Sequence, residues 1–279
     1  MKKIIHITIA LVLLFLALPV KAQTDVMSEY WKDVDFSDTS LVSSDAFDAK
    51  VVDFLYTYGA LEDGANFDSL SMVGVNLLMG KAKVNMRVYE FLLEYLLNGY
   101  AAMGQSSITE YLLTYPQLAE GEITMEEGLR LDSIVEPYQK VKVGAKAPDF
   151  DGVSIEEKPY HLYGSKAPHT IIVFWSTDCE YCHDFLAQIR KHFDLKSDFE
   201  LVTFALAENL DEAKQTVKKM RLPGYHFYDD SRWDSKAFLD YHITSTPTVF
   251  VLDENKTIVC KPYDWQELKY WLKSNNIFY

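Results

Sequence analysis

The chain has 279 residues, of which 48% are hydrophobic and 24% charged, and its formal net charge is −14 at pH 7. This length favours two domains over one. The excess of acidic residues argues against nucleic acid or an anionic membrane surface as a partner, because phosphate contacts need clustered lysine and arginine side chains.

The first 22 residues have the pattern of a secretory signal peptide. Lys2 and Lys3 precede a mostly apolar run, Ile4–Val20, and Val20-Lys21-Ala22 offers small residues for cleavage. The alternative is an uncleaved anchor, because about 17 largely apolar residues can nearly span a bilayer. We expect cleavage, no stable membrane insertion afterwards, and a periplasmic or otherwise extracytoplasmic location. Cleavage would remove three lysines and no acids, changing the net charge from −14 to −17.

Residues 23–143 are predicted to hold an extended leader, a helical domain and a linker. Residues 23–42 are polar and acidic with scattered aromatic side chains, which indicates the leader. From 43 to 137 apolar residues recur at helical spacing in five runs, the strongest over Asn85–Met103, and the last starts near Thr124 and ends at Pro137. Pro137–Val143 is the predicted linker. This domain has no cysteine or histidine, so its sequence does not indicate its role.

Residues 144–279 alternate between strand and helix patterns, which predicts an α/β fold with helices on both faces of a central mixed sheet. The predicted strands are Asp149–Val153, Lys158–Leu162, Thr170–Trp175, Glu200–Leu206, Tyr225–Tyr228, Thr248–Leu252 and Thr257–Lys261. The predicted helices are Glu180–Phe193, Asp211–Met220, Asp234–Tyr241 and Asp264–Ser274. Asn255-Lys256 is the expected hairpin turn between the last two strands.

Two cysteines lie at the most informative point of this pattern. A buried strand ending at Trp175 leads into Ser176-Thr177-Asp178, whose side chains are all suited to capping a helix. Cys179 and Cys182 follow on the first turn of an amphipathic helix. The free N–H groups and the dipole of a helix start favour a thiolate at Cys179, and side chains three apart can close a disulfide. The pattern therefore predicts a redox site.

Three landmarks give this chain a resemblance to a known family. The segment 174–182, FWSTDCEYC, resembles the active-site segment of thioredoxin-fold proteins, and 245–253, STPTVFVLD, resembles the strand of that fold that starts with a cis-proline. The segment 144–150, GAKAPDF, resembles the start of the TlpA/ResA group of exported thiol-disulfide oxidoreductases. The resemblance covers about the last half of the chain. It implies a thioredoxin-like fold over residues 144–279 and exchange of disulfides with protein cysteines, without a bound cofactor.

The predicted catalytic residues are Cys179 and Cys182. Cys179 is nearest the helix start and is the expected nucleophile, whereas Cys182 lies one turn deeper and would resolve the mixed disulfide. Three alternatives stay open for the motif. The first is a permanent disulfide between the two cysteines. The second is c-type haem attachment, because residues 179–183 match the CxxCH pattern. The third is a zinc site, which is disfavoured because no second Cys/His pair is spaced to complete a tetrahedral site.

Five further residues are expected to support the site or contact the substrate. The resemblance implies a cis peptide bond between Thr246 and Pro247, beside the cysteines, where the Thr246 backbone can pair with a substrate chain. Trp175 is expected to cover the motif, and Glu180 and Tyr181 lie between the cysteines. The remaining Cys260 is expected to be a buried hydrophobic residue.

The charges around the motif bear on the direction of electron flow. Asp178, Glu180 and Asp184 raise the pKa of a nearby thiol, and only His183 opposes them. We therefore expect a reductase rather than an oxidase. The competing hypotheses are a redox-inert binding or scaffold module, in which the helical domain does the work, and a haem-carrying electron-transfer protein.

Overall fold

The computed structural model describes residues 20–59, 67–115, 123–193 and 199–277. The chain divides into two compact units. The first lies within Met1–Tyr100 and Ser107–Ile134, and the second comprises Ala101–Ser106 and Val135–Tyr279. None of the helices in the described ranges is long and apolar enough to cross a membrane.

The first unit is helical, as the sequence predicts. Its elements are α1 (Val20–Tyr30), α2 (Asp45–Gly59), α3 (Phe67–Ala82), α4 (Met86–Ala102), α5 (Ser106–Leu112) and α6 (Met125–Lys140), of which α4, α5 and α6 extend partly into the second unit. The α4 bounds agree with the predicted run Asn85–Met103 to within one residue, and its apolar face is buried at Val88, Leu92 and Leu96. No strand occurs in the described residues before 151.

The prediction of an extended leader over residues 23–42 is wrong, because α1 occupies its first part. Met27 and Trp31 are buried, and the Trp31 ring lies 5.0 Å from the Phe54 ring and 5.8 Å from the Phe36 ring. The scattered aromatic residues of this acidic segment therefore anchor it to α2, a tertiary contact that helical periodicity alone does not reveal. Residues 1–19 of the predicted signal peptide lie outside the described residues, and its last three residues, 20–22, belong to α1.

Helix α6 begins as predicted and ends later. The Glu127 carboxylate accepts the Thr124 N–H at 2.7 Å, and Thr124 Oγ1 accepts the Glu127 N–H at 3.3 Å, which is a reciprocal capping box. Pro137 does not end the helix, which continues to Lys140. The proline lacks the N–H that would bond to the Ser133 carbonyl, and its ring crowds that carbonyl, so its effect falls on the turn before it, and the helix continues past it. The predicted linker is also packed, because Tyr138 and Val141 are buried.

The second unit is built on a five-stranded sheet of order β5-β4-β3-β6-β7. The central strand β3 is parallel to β4 and antiparallel to β6, so the sheet is mixed. Its strands are β3 (His169–Ser176), β4 (Phe199–Leu206), β5 (Tyr225–Tyr228), β6 (Thr248–Leu252) and β7 (Ile258–Cys260). Two other predicted strands, β1 (Asp151–Val153) and β2 (Pro159–His161), form a separate antiparallel pair.

Alternation along β3 assigns its side chains to two cores. Ile171, Val173 and Trp175 share one core with apolar residues of α7 (Glu180–Phe193), α8 (Leu210–Met220) and α10 (Trp265–Ser274). Ile172 and Phe174 share the other with Phe238 of the short helix α9 (Lys236–Asp240) and with Tyr160 of β2. Helices therefore cover both faces of the sheet, as predicted. The loop from β3 to α7 follows the carboxyl end of the central strand.

Candidate active site

The motif is positioned by the end of β3 and the start of α7. Register pairing of β3 with β4 continues to Ser176, and the Thr177 N–H then donates to the Leu206 carbonyl at 2.9 Å. This bond ties the loop to the end of the neighbouring strand. The Cys179 N–H closes a turn onto the Ser176 carbonyl at 3.3 Å, and α7 begins at the next residue. The buried strand and the amphipathic helix behind it thus fix the place of Cys179.

The cap of α7 is the sulfur of Cys179. Its Sγ accepts the backbone N–H of Cys182 at 3.1 Å, which is the bond that an N-cap side chain makes to the third helical residue. The sequence indicated Ser176, Thr177 or Asp178 as the cap. The Ser176 hydroxyl instead donates to the Asp178 carboxylate, and the helix starts only at Glu180.

The two cysteines are bonded to each other and differ in exposure. The structure contains a Cys179–Cys182 disulfide, with the Cα atoms 5.2 Å apart. Cys182 is fully buried among the core residues of α7, whereas Cys179 is only partly buried. The sequence predicted this asymmetry from the position of each cysteine on the helix. Cys179 is therefore the more accessible sulfur of the pair, and Cys182 is closed to solvent.

The predicted cis peptide bond is present between Thr246 and Pro247. The Thr246 carbonyl oxygen lies 3.8 Å from the Cys179 sulfur, although the two residues are 67 positions apart in the chain. Both Thr246 and Pro247 are half-buried, and β6 begins immediately afterwards at Thr248. The structure therefore brings the two distant landmarks of the sequence together, and the predicted contact is confirmed.

The remaining predicted site residues occupy different depths. Trp175 does not cover the motif as expected, because it is completely buried as a residue of the core that also contains Cys182. Tyr181 is 83% exposed, and Glu180 is also exposed on the first turn of α7. Glu180 and Tyr181 therefore present their side chains to solvent beside the disulfide and contribute nothing to the packing beneath it.

Asp178 is the charged group next to Cys179 in sequence. The Ser176 hydroxyl and the Asp178 backbone N–H, with smaller contributions from the Arg232 and His183 charges, hold the pKa of its carboxyl below the usual range. Asp178 is consequently ionised at neutral pH, and a negative charge beside a thiol raises the pKa of that thiol. The Cys182 N–H at the helix start acts in the opposite direction, because it stabilises a thiolate on Cys179.

Two features of this region are absent from the sequence interpretation. Arg232, which contributes to the low pKa of Asp178, lies in a single helical turn, Arg232–Asp234, more than fifty residues away in the chain. Only the tertiary fold reveals that proximity. The second feature is a buried polar pair between directly opposed strand residues, in which Thr203 Oγ1 and His226 Nδ1 are 2.9 Å apart. A histidine within the apolar strand YHFY was the available signal for it.

Comparisons with known proteins agree with this architecture. Residues 169–258 match a family model described as thioredoxin-like. The thioredoxin-like protein YneN of Bacillus subtilis is 26% identical over 133 residues, which are 45% of this chain and 76% of YneN.

Two solved structures are similar in fold. The structural match to a thioredoxin-like protein from Bacteroides caccae covers 92% of this chain and 94% of that protein's chain, at 17% sequence identity and a TM-score of 0.58. A thiol-disulfide oxidoreductase from Bacteroides fragilis covers 47% of this chain and 98% of its own, at 18% identity. Its TM-score is 0.42. The likeness to the Bacteroides caccae protein concerns the fold alone and extends over both units. Residues 169–258, which contain the bonded cysteines and the cis-proline, therefore form a thioredoxin-like domain.

Proposed function

We propose that this protein is an exported thiol-disulfide oxidoreductase that exchanges disulfides with the cysteines of other proteins. One observation carries the proposal. A disulfide joins a partly exposed sulfur at a helix start to a fully buried one, and the exposed sulfur lies 3.8 Å from the Thr246 carbonyl beside a cis-proline. A substrate chain that pairs with the Thr246 backbone would bring its own sulfur to Cys179.

The exchange needs only the two cysteines and a substrate disulfide. The Cys179 thiolate attacks one substrate sulfur, the substrate S–S bond breaks, and the other substrate sulfur leaves as a thiolate. Cys182, once deprotonated, attacks Cys179, which closes the Cys179–Cys182 bond and releases the second substrate thiolate. Two electrons have then passed to the substrate. The reverse sequence begins when a substrate thiolate attacks Cys179 of the oxidised pair.

Two further parts of the proposal concern direction and location. The ionised Asp178, together with Glu180 and Asp184, disfavours a thiolate on Cys179, and a less stabilised thiolate favours reduction of substrates. The basic, apolar and small-residue pattern of residues 1–22 supports export through a cleaved signal peptide. The TlpA/ResA resemblance of residues 144–150 supports the same location.

The alternatives receive less support from the geometry. Haem attachment through CxxCH requires thioether bonds from both sulfurs, but here the sulfurs are bonded to each other and the His183 ring packs 6.0 Å from the Trp175 ring. A purely structural disulfide that closes so short a loop would add little stability through chain entropy. Placing its outer sulfur against a cis-proline segment would serve no purpose in a redox-inert module.

Trapping of the mixed disulfide tests the proposal. With Cys182→Ala the intermediate on Cys179 should persist, because the resolving thiolate is missing. With Cys179→Ala no adduct should accumulate, because Cys182 is buried. Each full-length variant is incubated with disulfide-bearing proteins, and adducts are counted on non-reducing gels.

The gel and a redox titration together decide between the hypotheses. Equal adduct yields from the two variants would contradict the assigned roles. An equilibrium reduction potential of the wild-type pair below about −300 mV against glutathione would indicate a structural disulfide. That value, together with no adducts from either variant, would favour the redox-inert module.

A further inference from the structure

His183 lies on the same face of α7 as the nucleophile. It follows Cys179 by four residues, a spacing at which side chains on a helix are neighbours with about 5–6 Å between their Cβ atoms. The His183 backbone N–H donates to the Cys179 carbonyl at 3.1 Å, so the helical spacing already holds between these two residues. Cys182 and His183 therefore lie on the first turn of α7, directly after the cap residue Cys179.

The His183 imidazole is held in place but one of its nitrogens is unused. Its ring packs 6.0 Å from the Trp175 ring, and Trp175 is completely buried. His183 Nε2 is inaccessible to solvent and has no hydrogen-bond partner among the described residues. Native proteins rarely leave a buried nitrogen unpaired without a functional reason. The redox pair next to His183 in the chain is a candidate for that reason.

The charged groups in the neighbourhood of His183 come from three parts of the chain. Glu180 and Asp184 lie on its own helix, Asp178 lies in the loop before the helix, and Arg232 lies in the turn beside Asp178. His183 and Arg232 both help to hold the pKa of the Asp178 carboxyl down, so both side chains lie near that carboxylate. Histidine is the side chain whose charge ordinarily changes between pH 5 and 8.

We propose that His183 is the acid–base group of the motif and exchanges a proton with the Cys179 thiol. This inference rests on the proposed function of the pair. In the reduced protein the neutral imidazole takes the thiol proton, which leaves a thiolate on Cys179 and a positive charge on His183. After the thiolate has attacked a substrate disulfide, the imidazolium returns that proton to the substrate thiolate that leaves. The ion pair thus opposes the effect of Asp178 on the same sulfur.

The pH dependence of alkylation tests this proposal. The full-length protein is reduced, and the rate of its reaction with iodoacetamide is measured from pH 5 to 10, with the modified cysteine identified by peptide mass. For the wild type we expect two inflections at Cys179, one from the imidazole and one from the thiol. His183→Gln should show the thiol inflection alone. Its rate at pH 7 should fall about tenfold, the effect of a thiol pKa one unit higher.

Two further variants separate the roles of charge, proton exchange and folding. His183→Lys keeps a positive charge throughout the range, so it should restore fast alkylation without the lower inflection. His192→Gln is the control on the same helix, about 13 Å further along its axis, where the imidazole stacks 4.6 Å from Trp265. It should retain the wild-type profile. At pH 10, where the thiol ionises unaided, all variants should react equally fast if their folds are intact, and His183→Asn replaces any variant that fails this criterion.

The outcomes distinguish this inference from the proposed function. If the wild type exchanges disulfides but His183→Gln matches it at every pH, this inference alone is overturned. A lower inflection that survives in His183→Lys would likewise assign it to another group. If the wild type exchanges no disulfides but only His183 variants lose the lower inflection, the proposed function fails and the proton exchange is still supported.

Discussion

Gly224 combines an unusual backbone angle with a lack of space for a side chain. Its φ is +106°, and it lies in the loop between α8 and β5. A Cβ atom added there would lie 2.0 Å from the carbonyl oxygen of Leu201 in β4. That oxygen belongs to the backbone of a paired strand, so it cannot move aside alone. Gly224→Ala should therefore disturb the start of the β4–β5 pairing.

The cost of this substitution has two parts. Forcing a residue with a Cβ atom into a left-handed conformation costs about 1–2 kcal/mol. Overpacking against rigid neighbours typically costs a further 1–3 kcal/mol or so. The free energy of unfolding should thus fall by about 2–5 kcal/mol in Gly224→Ala.

Two other glycines supply matched controls. Gly144 also has a positive φ, +89°, but nothing lies within 4 Å of its added Cβ, so Gly144→Ala should lose only about 1–2 kcal/mol. Gly80 is in the last turn of α3 with open space around its added Cβ, and Gly80→Ala should gain at most about 0.5–1 kcal/mol. The series separates backbone strain from crowding.

Urea unfolding followed by tryptophan fluorescence and far-ultraviolet circular dichroism measures these differences. Four of the five tryptophans lie in Val135–Tyr279, so fluorescence reports mainly on the unit that contains Gly224 and Gly144. Equal losses in Gly224→Ala and Gly144→Ala would refute the steric part of the reasoning. An unchanged stability in both would refute the conformational part as well.

Two predictions concern buried groups away from the motif. His226 is buried as a neutral imidazole, whose Nε2 donates to the Leu222 carbonyl while Nδ1 accepts from the Thr203 hydroxyl. Burial lowers its pKa, so below about pH 6.5 the unfolded chain binds more protons than the folded chain does. The free energy of unfolding should therefore fall between pH 7 and 5, and less steeply in His226→Gln; parallel slopes would contradict this. Burial also raises the pKa of Cys260 to about 12, so this thiol should resist alkylation at pH 8 in the folded chain and react in urea. Cys260→Ala should leave disulfide exchange unchanged, and rapid labelling of Cys260 in the folded chain would show that it is accessible.

The second unit was predictable because its local signals agree with its tertiary structure. The helix Glu180–Phe193 and the strand Thr248–Leu252 have the predicted bounds, since each combines a strong period with a clear boundary signal. The cis peptide at Pro247 and its closeness to Cys179 followed from the resemblance between two distant segments. No local pattern of either segment would have indicated that contact.

The misses share a physical cause, which is that tertiary contacts decided the outcome. Helix α1 depends on Trp31 packing against aromatic rings of other elements, and its own sequence is too polar to indicate a helix. The Asp178–Arg232 proximity and the Thr203–His226 pair join segments that are far apart in the chain. The role of Cys179 as the helix cap was also unexpected, because sulfur is not among the preferred cap atoms.

That cap links the chemistry of the disulfide to the stability of the whole unit through a thermodynamic cycle. The hydrogen bond from the Cys182 N–H to the Cys179 sulfur strengthens as the sulfur gains negative charge, because charge-assisted bonds are stronger than neutral ones. This hydrogen bond, which forms only in the folded chain, therefore favours the Cys179 thiolate. The negative charge of Asp178 has the opposite effect, because it favours the neutral thiol. The difference in unfolding free energy between the reduced and oxidised chains equals the difference in reduction free energy between the folded and unfolded cysteine pair. Calorimetric unfolding of the reduced and oxidised protein would thus measure how much the fold changes the reduction free energy of the cysteine pair, and it needs no redox partner in the sample.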